Sequence, residues 1–352
     1  MRIVRKPQVT GYKAWLIRGA SILVAIIIGA IIISVIGHSP IDAYKTMIST
    51  VFKKRTFIKI LHKTIPLTII ALGTSVAFKM KYWNIGGEGQ ILIGAFCASY
   101  FALFHSDSMP QPLLLTVMTL AGFIGGGLYA LIPVPFKIKF NTNETLFTLM
   151  LNYIALQFIY YLEAGPWRDP SKKGMQYIAT FPQKAILPDF LGVHIGWVFA
   201  LVLVVIIHIL LKKTKLGYEI SVIGESESTA RYAGIKVSRV MLAAVFLSGG
   251  LCGLTGMIQS SALNRTLSSG LSDGSGFTGI IIAWIAQLSP IGIVITSFAF
   301  SILLQGGSSL ETAMQIPSSI ANILQGLILF CVLGAEFFIN YKIIFSKKEN
   351  TK

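Results

Sequence analysis

The sequence predicts an all-α integral membrane protein of about ten spanning helices, with short or broken helices among them. Two observations carry that prediction. Of 352 residues, 54% are hydrophobic and only 12% charged, with a mean hydropathy of +0.71. The apolar residues also gather into runs long enough, or nearly so, to cross a bilayer. A soluble domain carries roughly 25% charged residues. No water-soluble core of this length absorbs so much apolar sequence, so lipid is the expected solvent for much of it.

The elements follow in chain order. Residues 1–18, with Arg2, Arg5, Lys6, Lys13 and Arg18, read as a cytoplasmic N-terminus. The apolar run that follows exceeds a signal-peptide core and no A-x-A site ends it, so a first spanning helix over 19–37 is expected. Further runs cover 60–79, 88–105, 112–135, 144–163, 193–211, 240–261, 275–289, 291–306 and 320–341. The 275–289 and 291–306 runs fall near or below the usual lower limit of about 17 residues. Short segments of this kind in transporters often form broken or re-entrant helices. One transmembrane domain, 1–352, is expected, with an external loop over 164–192, a cytoplasmic loop over 212–239 and a cytoplasmic tail over 342–352.

Orientation follows from the basic residues. With both termini inside, 19 of the 30 lysines and arginines fall on the cytoplasmic side, as the positive-inside rule requires. The cluster Lys45, Lys53, Lys54, Arg55, Lys59 and Lys63 falls on the opposite side, where an interfacial amphipathic helix is expected. The net charge of +16 therefore reflects topology; without a basic patch interleaved with aromatics, no nucleic-acid partner is expected. Cys97, Cys252 and Cys331 lie far apart inside apolar runs and read as small buried hydrophobes. Small residues four apart, Gly122/Gly126 and Gly249/Gly253, suit close helix packing.

Polar residues within apolar surroundings mark the candidate chemistry. In the Tyr82–Gln90 stretch, Gly86 and Gly87 free the backbone where a helix should start. Glu88 falls in the first turn, facing the positive end of the helix dipole. Asn84, Glu88 and Gln90 either line a polar path or tie a helix break together. Asn143 is a plausible cap with Glu144 in the next first turn; Asn152, beside Tyr153, lies inside an apolar run and needs a partner. In the cytoplasmic loop, Ser226 can cap a short helix carrying Ala230, Arg231 and Tyr232, which Gly234 ends in a left-handed conformation. That helix reads either as a docking element or as a solvated loop. The chain has no G-x-x-x-x-G-K-[ST] and no H-E-x-x-H, so no nucleotide or metal site of its own is expected.

At these residues the sequence resembles a known family, the permeases of the branched-chain amino acid/simple-sugar class of ABC importers, and within it the nucleoside branch. The resemblance rests on Tyr82-Trp83-Asn84-Ile85-Gly86-Gly87-Glu88-Gly89-Gln90, on Asn143-Glu144 with Met150-Leu151-Asn152-Tyr153-Ile154-Ala155, and on Gly165-Pro166-Trp167-Arg168-Asp169-Pro170. It continues through Gly217-Tyr218-Glu219-Ile220, the 230–235 and 247–256 stretches and Gly276-Phe277-Thr278-Gly279-Ile280, in family order over about 60–340. Trp83, Thr278 and Trp284 depart from the family pattern.

The resemblance implies a transport subunit that is not itself an enzyme and carries no cofactor, ATP being bound by partners. Those partners are a second permease subunit, identical or related, two cytoplasmic ATPase subunits and an external substrate-binding lipoprotein, all at a cell membrane. It implies a substrate pathway shaped by Asn84, Glu88, Gln90, Asn143, Glu144, Asn152, Tyr153 and Phe277. It also implies ATPase coupling through Gly217, Tyr218, Gly224, Ala230, Arg231, Tyr232 and Gly234. Nucleosides are the expected substrate, with simple sugars such as ribose or galactose second. The rival from another class, an ion-coupled secondary transporter, lacks an obvious mid-helix carboxylate pair, since Glu163 and Glu336 lie near expected helix ends.

Overall fold

The computed structural model describes residues 2–5, 12–51, 53–170, 177–190, 192–315, single positions between 323 and 339, and 341–344. Two units divide it, residues 1–60 with 301–352, and residues 61–300.

In the first unit, helix α1 (Tyr12–Val35) is followed by α2 (Pro40–Val51). Their apolar stretches, Gly19–Val35 and Pro40–Ser49, meet at 118°. The bend is held where Tyr44 donates its hydroxyl to the Ile26 carbonyl, 2.7 Å. Ile33, Ala43 and Leu310 form a small core there. Of the basic cluster for which an interfacial amphipathic helix was expected, α2 carries only Lys45; Lys54, Arg55, Lys59 and Lys63 fall instead on the first turns of the long helix over 54–79. Strand β1 (Arg2–Arg5) pairs antiparallel with β4 (Tyr341–Ile344), bringing the two ends of the chain together.

Helix α3 (Lys54–Lys79) leads into the second unit. It continues as α4 (Gly87–Phe104), α5 (Gln111–Leu131), α6 (Pro133–Phe140), α7 (Glu144–Ala164), α8 (Gly196–Lys213), α9 (Lys215–Glu225), α10 (Glu227–Tyr232) and α11 (Val237–Ile258). A π-helical stretch, Gln259–Asn264, extends α11; α12 (Ser275–Ile285) and α13 (Pro290–Met314) follow. Among the described residues seven helices are long and apolar enough to span, or eight if the bent α1–α2 pair counts as one. The count of ten is therefore not reached. The 275–289 run yields only the eleven residues of α12, and most of the 320–341 run lies outside the described residues.

The core is α4, α5 and α11. Their contact needs glycine: a Cβ on Gly253 of α11 would collide with the Gly122 carbonyl and Gly126 of α5. With Gly249 beside Gly126, the two small-residue pairs of the sequence pack on each other, as such motifs do where lipid leaves no hydrophobic drive for helix association.

The helices have two distinguishable ends. One carries Lys79, Lys137 and Lys212 and is called here the basic end. There Gly224 of α9 packs on the Lys79 carbonyl, and Lys137 pairs with Glu144 at 2.9 Å. At the far end residues 177–190 and 192–195 fold over the π-helix. Ser261 donates to the Ala185 carbonyl (2.6 Å) and accepts from the Leu187 amide (3.0 Å), and β2 (Asp189–Phe190) pairs with β3 (Val193–His194).

Candidate functional site

The break between α3 and α4 positions the site. Residues 82–86 are not helical, so part of their amide and carbonyl groups lies outside any helical ladder, an expensive condition at membrane depth. Side chains from elsewhere satisfy them. Thr148 of α7 accepts from the Ile85 amide (3.2 Å), and Asn152, one turn on, donates to the Ile85 carbonyl (2.9 Å). Asn152 also accepts from the Gly89 amide at 2.8 Å. Gly86, at the α4 cap position, has no side chain to cap with, so α7 caps α4 in its place.

Asn84 and Gln90 complete the knot. Asn84 Nδ2 donates to Gln90 Oε1 (3.1 Å) and to Ser248 Oγ on α11 (3.2 Å), while Gln90 Nε2 returns a bond to Asn84 Oδ1 (2.8 Å). The Gly86 amide adds a further bond to that oxygen. Asn84, Gln90 and Asn152 are buried, and their polar atoms are occupied by one another and by backbone.

Glu88 differs. It lies in the first turn of α4, as expected, yet its Oε1 accepts from the Gly276 amide at 3.0 Å. Gly276 is the second residue of α12, so Glu88 caps a second broken helix start. Gly276 packs so closely on the Glu88 amide that a Cβ there would force the two apart. Ser272 and Asp273 stand near the carboxylate, and Oε2 is buried without a hydrogen-bond partner. The α12 start therefore rests on α4, and the α4 start on α7.

The remaining expected residues separate. Asn143 caps α7, accepting from Thr145 and Leu146 (3.0 and 3.2 Å), and Glu144 is held by Lys137. Tyr153 turns away from the knot onto an exposed face of α7, and Phe277 is exposed on α12 beside Glu88's partner Gly276. At the basic end, Ser226 caps α10 through the Thr229 amide (3.3 Å), and Gly234 has φ +77. Gly217, Gly224 and Ala230 are buried packing positions. Tyr218 (68% exposed) and Tyr232 (96% exposed) project outward, and Arg231 pairs with Glu227.

Sequence reasoning missed Thr148, Ser248 and Glu163, the last accepting from the Ser269 amide at 2.8 Å. A lone hydroxyl in an apolar helix ordinarily bonds its own backbone, so nothing in the sequence distinguishes Thr148 and Ser248, and the partner of Glu163 lies 106 residues later in the chain. The two aromatic departures from the family pattern meet each other: Trp83 stacks on Trp284 at 5.5 Å and 15°. At the far end His194 is buried with both ring nitrogens unpartnered, its ring edge-on to His62 at 4.9 Å. Burial, and then the neighbouring His62, push its pKa down to about 4 against the pull of Asp189.

Helix breaks sealed by side chains, in a chain of long apolar helices, are an arrangement that a membrane transport protein can use. The chain belongs to the family of branched-chain amino acid transport system permease components, whose model matches residues 56–333. It is the permease subunit of an ABC transporter, a multi-pass membrane protein that works with separate ATPase subunits. It is 30% identical to the glucose ABC transporter permease protein TsgB13 of Haloferax volcanii, over 94% of this chain and 90% of that one. It is also 30% identical to the nucleoside ABC transporter permease protein NupB of Lactococcus lactis (89% and 88%) and 26% identical to the guanosine ABC transporter permease protein NupP of Bacillus subtilis (90% and 92%).

Proposed function

We propose that the chain imports nucleosides across the cytoplasmic membrane. The observation that carries this reading is its likeness, over about nine-tenths of each chain, to permeases named for nucleosides and for guanosine. A simple sugar is the second reading, favoured by the equal identity to a glucose permease. The basic end is then cytoplasmic, both termini lie inside, and residues 177–190 and 192–195 face outward toward a substrate-binding lipoprotein.

A second permease subunit, identical or related, completes the pathway, and two ATPase subunits dock on α9 and α10. The exposed Tyr218 and Tyr232 are the anchors of that contact, because buried aromatic anchors dominate interface energy. ATP-driven association of the ATPases favours one access state over the other by differential affinity. Asn84, Gln90 and Asn152 shape the path by holding its walls, and Glu88 holds the start of α12.

Uptake of labelled nucleosides by cells carrying the complete transporter tests the reading, with unlabelled ribose, galactose and glucose as competitors. Saturable nucleoside uptake that sugars leave unchanged, and that stops when the ATPase gene is deleted, is expected. Uptake blocked by a sugar selects the second reading. Uptake that persists without the ATPase and follows an ion gradient overturns both.

A further inference from the structure

Between the π-helix and α12, residues 265–274 run through the protein without regular structure. Two hydrogen bonds fix how deep this segment lies. At its upper part the Ser269 amide binds Glu163, near the far end of α7. Below it the Gly276 amide binds Glu88, whose neighbour Gly89 binds Asn152 of α7. Glu163 and Asn152 are eleven residues apart on one helix, roughly 16 Å at 1.5 Å per residue. Asp273 is held between those levels, inside a hydrocarbon layer about 30 Å thick.

Asp273 is nevertheless exposed, and among the described residues no cation pairs with it. A carboxylate facing lipid at that depth is costly, and irregular backbone is tolerated there only against protein or a water-filled cavity. The exposed face continues along α12 with Phe277 and Trp284, 42% and 43% exposed. Phe277 and Trp284, seven residues apart, lie on one side of α12, and Asp273 stands just before the start of that helix. Gly276, Gly279, Ile282 and Ala283 form the buried side. Trp284 keeps its stack with Trp83 near the basic end, so the strip descends from mid-membrane to that mouth. Behind its upper end lies Glu88 Oε2, buried and unpartnered.

A carboxylate acceptor above two exposed aromatic rings suits one kind of solute. Carboxylates accept from paired hydroxyls in strong charge-assisted bonds, and aromatic faces stack on flat or ring-shaped groups. Two carboxylates repel anions, and no three-ligand metal cluster exists among the described residues. We propose that Asp273, at the turn before α12, and the Phe277–Trp284 face of α12 together form a wall of the solute path, and that Asp273 accepts hydrogen bonds from the vicinal hydroxyls of a sugar ring. The ring belongs either to a free sugar or to the ribose of a nucleoside. The second half of the proposal rests on the import function proposed above.

The test uses the complete transporter in membrane vesicles, with Cys97, Cys252 and Cys331 replaced by alanine. Asp273→Cys, Phe277→Cys and Trp284→Cys are exposed to a charged, membrane-impermeant methanethiosulfonate, with Leu201→Cys on the apolar face of α8 as the lipid-facing control. Modification at all three positions but not at 201 is expected. Position 273 as unreactive as 201 overturns the wall assignment and assigns this face to lipid or to a second subunit.

Uptake of a nucleoside, its 2′-deoxy counterpart and free ribose is then compared between wild type and Asp273→Asn, normalised to protein in the membrane. For substrates with the vicinal diol, KM is expected to rise roughly ten- to a hundredfold, and the deoxy compound to change much less. Equal change for both overturns the hydroxyl role. Loss with ribose or with the nucleoside identifies the source of the ring. A wild type that carries neither refutes the import function, while the labelling result still decides the wall.

Discussion

Asn152 serves both the Ile85 carbonyl of the helix break and the Gly89 amide of the α4 start. Its removal orphans both groups at membrane depth, each at about 1–3 kcal/mol. Asn152→Leu is therefore expected to destabilise the purified permease by roughly 2–4 kcal/mol, measured by denaturant unfolding in detergent, with loss of membrane-inserted protein. A variant as stable as wild type would return Asn152 to a substrate-contacting role. His194 makes a different prediction. Its folded pKa of about 4 lies below the ordinary 6.5, so the unfolded chain binds more protons between those values. Stability is full above pH 6.5 and falls as pH drops toward 4, by up to about 3 kcal/mol. His194→Gln should flatten thermal stability across that window, and an unchanged slope would refute the assignment. The Asn143 cap and the Gly234 turn were legible because both are settled within a few residues. The partner of Asn152 was not, since it lies 63 residues earlier. Asp273 escaped notice because its depth depends on bonds from Glu163 and Glu88.

At the scale of elements, helix starts and small-residue pairs were legible, while the π-helix and the dependence of one helix start on another were not. The Gly122/Gly126 and Gly249/Gly253 spacing gave two surfaces; only the fold reveals that they are each other's partner. Gly253→Val drives a branched side chain into the Gly122 carbonyl. A loss of at least about 3 kcal/mol is expected, seen as failure of the detergent-extracted protein to migrate as a single species in size-exclusion chromatography. Helix α10 supports the opposite kind of test. Tyr232 is almost wholly exposed, so Tyr232→Ala should leave the melting temperature of the isolated permease within a degree or so of wild type. ATP-driven uptake should fall at least tenfold, the size of an interface hot spot. Normal uptake would remove Tyr232 from the ATPase contact.

For the whole molecule, composition alone was enough to establish a polytopic membrane protein, and ordered motifs were enough for its family. The number of crossings was harder to read. Hydropathy scores length and apolarity, whereas α12 is a half-length helix preceded by irregular backbone that glutamates hold in place. The pairing of β1 with β4 supplies a topological test independent of hydropathy, because paired ends lie on one side of the membrane. Reporter fusions at the two termini should therefore give the same compartment signal, and opposite signals would refute the pairing.

The sealing of the α4 start by residues that come later in the chain also has a cost during synthesis. Thr148 and Asn152 leave the ribosome 63 or more residues after the groups they satisfy, Ser248 comes 164 residues after Asn84, and Gly276 comes 188 after Glu88. At about 5–20 residues per second, the nascent chain holds an open polar break beside lipid for several seconds before α7 arrives, and for longer before α11 and α12 do. A membrane protease or insertion chaperone has that interval in which to act. Chains stopped after α6 should be degraded much faster than chains stopped after α7, with the step in lifetime falling where Asn152 emerges.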